Sequence, residues 1–259
     1  MSVNNLIDPI SAQGGKVVLD DAESWMQGRT LYGGASSLVA YTAAIRAFPD
    51  LPPLRAGQIS FVAPVGAEFE LTSAIVRQGR NVTQIRSEII SEGKVALSAA
   101  WLFGAARDPN AVHVPPPPSP GPGQPESSKP ANSDHVPEFL KNNFDVRFTQ
   151  ERMADDVPII RRWTRLKELS GIDPVSQLIL IGDTLPPSAA RIMQRRGPLS
   201  SINWSFNVLD PQPQTRDGWW LAEAASDHAD EGYSSERLRL WNADGKQMLS
   251  GIQAVAIFG

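Results

Sequence analysis

Ten of the chain's 22 prolines fall between Pro109 and Pro137, within DPNAVHVPPPPSPGPGQPESSKPANSDHVP. Neither a helix nor a central strand survives that density, because proline fixes φ and has no backbone N–H to donate. The segment is expected to run extended, partly as polyproline II, and to act as a connector. It divides the 259 residues into a first part, 1–108, a linker, 109–137, and a second part, 138–259. Each part is long enough to bury a core, and more securely if the two pack together.

The two parts repeat one another. GKVALSAAWLFG (93–104) and GKQMLSGIQAVAIFG (245–259) match Lys94 with Lys246 and Ser98 with Ser250 at an offset of 152. QISFVAP and NWSFNVLDP set Ser60 on Ser205 and Phe61 on Phe206, offset 145; LYGG and LIGD set Gly33 on Gly182, offset 149. Three matches in the same order, with offsets drifting as loop insertions would make them, point to a duplicated unit. Each unit reads as one apolar helix followed by strands. ASSLVAYTAAIRAF is an Ala-rich buried helix. AGQISFVAP, EFELTSAIVRQGR and NVTQIRSEIISEGKVALSAAWLFG are strands, with turns at Gln78-Gly79 and Glu92-Gly93-Lys94. In the second unit PVSQLILIGDTLPPSAARIMQR is the predicted helix, capped by Asp173 before Pro174. SSINWSFNV, GWWLAEAASDHA, SSERLRLWNADGK and MLSGIQAVAIF are the strands, with a hairpin at Asn242–Gly245. An antiparallel sheet wrapped round a buried helix, made twice, is an α+β fold that can join its two sheets and so remove an edge from each.

Absences narrow the function. No cysteine is present, so disulfides, thiolate metal sites and a Cys nucleophile are all excluded. A net charge of −4 with 24 Lys and Arg spread along the chain gives no basic groove for nucleic acid. No apolar run reaches the roughly 18 residues of a membrane span, and the N-terminus lacks the basic and apolar regions of a signal peptide. These features fit a cytoplasmic globular protein without a cofactor.

Across these segments the chain resembles the acyl-CoA thioesterase II-like family of double-hotdog proteins. The resemblance is carried by Trp25, GRTLYGG, LRAGQISFVAPV, VRQGRNVTQIRSEI and GKVALSAAWLF in the first unit. In the second it is carried by WTRLKE, LILIGDTLPP, GPLSSINWSF and the run from DGWWLAEAASDHADEGY to QAVAIF. The resemblance implies a tandem hotdog fold, an acyl-CoA substrate hydrolysed by an activated water, no metal, and pairing into a homodimer. Its catalytic set, carried onto matching positions, is Asp183, Ser201 and Gln253; Ser200 stands beside Ser201, and strand alternation sends the two to opposite faces. By the offsets above, these three fall on Gly34, Ala56 and Trp101. Polar residues kept in one copy and absent from the other fit a duplicated scaffold whose first unit is degenerate and whose second carries the chemistry.

Those residue types suit the reaction. Asp183 against an apolar helix face would have its pKa raised towards that of a useful base. Ser201 and Gln253 could hold the water, and N–H groups at a helix start could receive the oxyanion. Pro186 and Pro187, just beyond Asp183, are expected to kink the helix. His113 and His135 lie in the linker, and His228 lies in a polar, turn-like stretch. Asp227, His228, Asp230 and Glu231 lack the regular spacing of a metal site. Trp204, Trp219, Trp220 and Trp241 read as core and sheet-face packing. Arg191, Arg195 and Arg196 are candidates for the phosphates of CoA, and otherwise a solvated face. The alternatives are a hotdog protein that binds acyl-CoA without turnover, and a dehydratase, which would need a His partner that Asp183 lacks.

Overall fold

In the computed structural model, described over residues 2–119, 121–131, 136–151, 154, 156–169 and 171–258, period-2 alternation generates most of the architecture. In chain order the elements are α1 (Asn4–Ile7), β1 (Gly15–Val18), β2 (Met26–Gln27), β3 (Thr30–Leu31), α2 (Gly33–Ala47), β4 (Leu54–Phe61), β5 (Glu68–Gln78), β6 (Val82–Ser91) and β7 (Lys94–Gly104). Then follow α3 (Glu138–Asn143), β8 (Phe144–Phe148), β9 (Ile159–Leu166), α4 (Pro174–Gly182), β10 (Leu199–Val208), β11 (Trp220–Asp230), β12 (Tyr233–Asn242) and β13 (Gln247–Ile257). Eleven strands form one antiparallel sheet in the order β1-β5-β6-β7-β4-β10-β13-β12-β11-β9-β8. The two halves join where β4 pairs with β10, from Asn203 opposite Ser60 to Asn207 opposite Ala56. That seam leaves neither half an open edge at the centre, and the outer edge β1 is only four residues long.

The concave face buries both helices. α2 packs on β5, β6 and β7, and α4 on β9, β11, β12 and β13. Gly34 to Ala44 of α2 are all buried, and the Gly, Ala and Ser residues among them let neighbouring elements approach closely. Ala is also the best helix former. Leu178 to Ile181 are fully enclosed, each such aliphatic side chain contributing about 1.5–3 kcal/mol. The hairpin tips β6–β7 and β11–β12 place Glu92-Gly93 and Glu231-Gly232 at positive φ, the pair of left-handed residues that a type I′ turn demands. Among the described residues no helix is long and apolar enough to cross a membrane.

Among its described residues the linker holds a 3-10 turn at Pro125–Ser127, and its later part is docked. Pro130 bridges to Arg147 of β8, Ala131 N–H donates to Val146 O, and Phe148 N–H donates to Lys129 O. The proline-rich chain thereby covers the β8 edge. The strands β1, β2, β3, β8 and β9 add to those expected from the sequence. The second helix is far shorter than predicted: it stops at Gly182, since Leu185, preceding Pro186, is pushed out of the helical region.

Candidate active site

The end of α4 delivers an acid to the middle of the molecule. Asp173 caps the helix start, accepting from the N–H groups of Val175 (2.9 Å) and Ser176 (3.1 Å). Nine residues later the helix closes and Asp183 stands at its C-cap, φ −121° and ψ 26°. Gln253 Nε2 donates to Asp183 Oδ1 at 2.8 Å, and the Gly34 backbone supplies a second hydrogen bond. Burial outweighs both donors and pushes the Asp183 carboxyl up to about 7. The acid from α4 thus meets the N-terminus of α2, where N–H groups lack intrahelical partners and the helix dipole is positive.

Glycine makes this approach possible. A Cβ on Gly33 would lie 2.1 Å from Asp183 Oδ2 and 2.9 Å from the Phe61 ring; one on Gly34 would lie 2.5 Å from Leu180 O. Tyr32, just before α2, donates its hydroxyl to that same Leu180 carbonyl at 3.2 Å. Tyr32, Gly33, Gly34 and Phe61 all belong to the first half, so the site is built by both halves. The Gly-Gly pair opening an apolar helix was visible in the sequence, but only packing reveals what it faces.

Strand register orients the other two candidates. Gln253 is 4% exposed and lies opposite Trp204, whereas Ser201 lies opposite Val255. The register shift between Ser201 and Asn203 inserts one extra residue, Ile202, so Ser201 and Trp204 share the inner face with Gln253. Ser200 lies opposite Ala256, on the outer face. Ser201 makes no side-chain hydrogen bond among the described residues. Asp183 and Gln253 are therefore in direct contact, while Ser201 shares their face one residue pair farther along.

The register also corrects the repeat. β4 carries the same irregularity between Leu54 and Ala56, with Leu54 opposite Phe103. Superposing the two bulges gives an offset of 147 in this strand, so Ser201 corresponds to Leu54 and not Ala56; Gln253 still corresponds to Trp101. Gly33 and Gly182 are not equivalent: one opens α2 and the other closes α4. Matching the helix starts sets Asp183 on Thr42 instead of Gly34. In the first half, Trp101 packs edge-on against Tyr41 at 5.4 Å, and its Nε1 donates to Ser87 Oγ. Aromatic bulk fills the position where the second half keeps an amide.

Of the other candidates, His228 lies on β11 opposite Ser235, not in a turn, and is exposed; His113 is exposed in the linker. His135 lies outside the described residues. Among the described residues, no three His, Asp or Glu side chains gather as metal ligands. Arg191 donates to the carbonyls of Val157 and Ala154, which ties it to the fold, while Arg195 and Arg196 are exposed. Trp204 is fully buried beside Gln253, and Trp220 donates to Gln177. Trp219 and Trp241 join Trp163 in a separate cluster.

Comparison with known proteins agrees with this architecture. Residues 21–104 match the family model of the acyl-CoA thioesterase N-terminal domain, and residues 112–257 that of the acyl-CoA thioesterase C-terminal domain. A hot dog fold protein from Alicyclobacillus acidocaldarius superposes with a TM-score of 0.86 at 19% identity, covering 100% of this chain and 99% of its own. An acyl-CoA thioesterase II from Mycobacterium marinum gives 0.74 at 16% identity, with 99% and 96% covered. The dehydratase domain of RzxB from Pseudomonas fluorescens gives 0.59 at 11% identity, with 93% and 92% covered. At these identities the structures share the fold alone. No curated protein matches the sequence.

Proposed function

Since the chain belongs to the acyl-CoA thioesterase family, we propose that it is a double-hotdog hydrolase cleaving an acyl-CoA to the free acid and CoA with a water activated by Asp183. The observation that carries this reading is the Gln253–Asp183 hydrogen bond beside the start of α2. Asp183, raised to about 7, is a base matched to neutral pH. It takes a proton from water as the oxygen attacks the thioester carbon. Gln253 orients the carboxylate through Oδ1. Ser201, on the same inner face, accepts from or donates to the water. The developing oxyanion is received at the α2 start, beside the Gly34 backbone that faces Asp183, where the helix's partial positive charge stabilises it in a partly dehydrated site. The tetrahedral adduct then collapses, the C–S bond breaks, and the CoA thiolate leaves. In this reading the first half has lost its own acid and amide but supplies the helix end that faces Asp183.

The test is release of free thiol from acyl-CoAs of graded length, with an aromatic acyl-CoA included, by the wild type and Asp183→Asn. Turnover that falls about 100-fold or more in the variant supports general-base hydrolysis. Absence of turnover on every substrate, with acyl-CoA binding that survives the substitution, refutes it.

A further inference from the structure

A second acid lies beside this site and takes no part in the proposed chemistry. Glu236, on β12, is fully buried and sits directly opposite Gln253 in the sheet. Its carboxylate accepts four hydrogen bonds. Ser188 N–H (2.9 Å) and Ser188 Oγ (2.6 Å) donate to Oε2. Ala189 N–H (3.0 Å) and Ser234 Oγ (2.8 Å) donate to Oε1. A carboxylate so fully engaged has no lone pair aimed at a substrate. Three of its four donors belong to the short 3-10 turn Ser188–Arg191, five residues beyond Asp183.

That turn exists only in the second half. Between α2 and β4 the chain needs residues 48–53, whereas between α4 and β10 it uses 183–198. The extra residues fold inward. Ser188 and Ala189 are buried, and the turn packs on β9, β11 and β12, over the concave surface past the end of the nine-residue α4. Through Glu236, which lies opposite Gln253, the turn stands next to Gln253 on this face.

We infer that Glu236 is a positioning residue that holds the Ser188–Arg191 turn as the end-stop of the acyl pocket, so that it limits acyl length. The inference rests on the acyl-CoA reading above, with the acyl group directed along the inner face of the second half. Glu236→Gln keeps the shape but turns an amide NH2 towards N–H and O–H donors, which releases the turn.

The experiment measures kcat/KM and, separately, the Kd of acyl-CoAs of increasing chain length for the wild type, Glu236→Gln and Ser188→Ala. Hydrogen exchange over residues 184–192 is followed in parallel. The expected result is faster exchange in the turn and a long-to-short preference that rises about tenfold in Glu236→Gln, the gain from burying roughly two further methylenes. Ser188→Ala, which removes one donor, shifts the preference the same way by less. A uniform loss at every chain length marks Glu236 as merely structural and overturns the inference. So does an unchanged length profile, or unchanged exchange in the turn. If the wild type turns over no acyl-CoA while its binding preference still shifts in the variants, the hydrolase reading fails and the end-stop stands.

Discussion

Replacing Asp183 by Asn should disable the enzyme and, above neutral pH, make it more stable. Burial displaces the Asp183 carboxyl from its ordinary 3.8 to about 7. A raised folded-state pKa in an acid means that the native protein binds the proton more tightly than the unfolded chain does. Stability is therefore retained below 3.8 and lost as pH rises from 3.8 to 7, after which the loss is complete. A shift of about 3 units at 1.36 kcal/mol each amounts to about 4 kcal/mol against the fold at pH 8. At pH 5 the same linkage leaves only about 1.5–2 kcal/mol. Asn carries no titration, and its Oδ1 still accepts from Gln253. The stability difference between Asp183→Asn and the wild type should thus widen in favour of the variant by about 2.5 kcal/mol between pH 5 and pH 8. In thermal unfolding that is about 5–10 °C for a chain of this size. The assay is a pair of unfolding series at pH 5, 6, 7 and 8, in which every other titrating group cancels between the two proteins. Parallel curves for the two proteins would refute the reasoning, because they would mean that Asp183 is no harder to ionise in the fold than in water.

Further outcomes follow from the same contacts. The kcat/KM profile should fall on the acid side with an apparent pKa of about 7, because the base must be ionised; a profile flat from pH 5 to 8 would exclude Asp183 as the base. Gln253→Met removes a donor that favours the carboxylate, so the acid limb should move to higher pH, which a pH–rate series checks. Gly33→Ala forces a methyl to within 2.1 Å of Asp183 Oδ2; displacing that carboxylate by about 1 Å should lower kcat on the order of 100-fold, read by steady-state turnover. Asp173→Ala removes the α4 cap and should cost about 1 kcal/mol in urea unfolding.

The strands β4 to β7 and β10 to β13 were legible because they follow the period of two and end at turns with their own chemistry: Glu92-Gly93 and Asn242–Gly245 lie where the residue types said. Asp183 and Gln253 were singled out through family resemblance, since a lone Asp after an apolar run and a Gln among apolar neighbours stand out only against that background, and the structure brings the two into hydrogen-bond contact. What escaped was everything decided by packing between distant segments. Nothing local marks Glu236 as buried, because its strand reads as an alternating polar face until the 188–191 turn folds over it. The Gly33–Gly182 match illustrates the same limit. Sequence read it as equivalence by repetition, but the two glycines lie at opposite helix ends and are brought near each other by the antiparallel meeting of α2 and α4. Both lack a side chain for one physical reason: Gly33 must admit the Asp183 carboxyl and Gly182 the Trp204 ring. A shared residue type at a contact can therefore imitate homology within a duplicated chain, and the matching bulges at Leu54 and Ser201 are the better guide to which positions correspond.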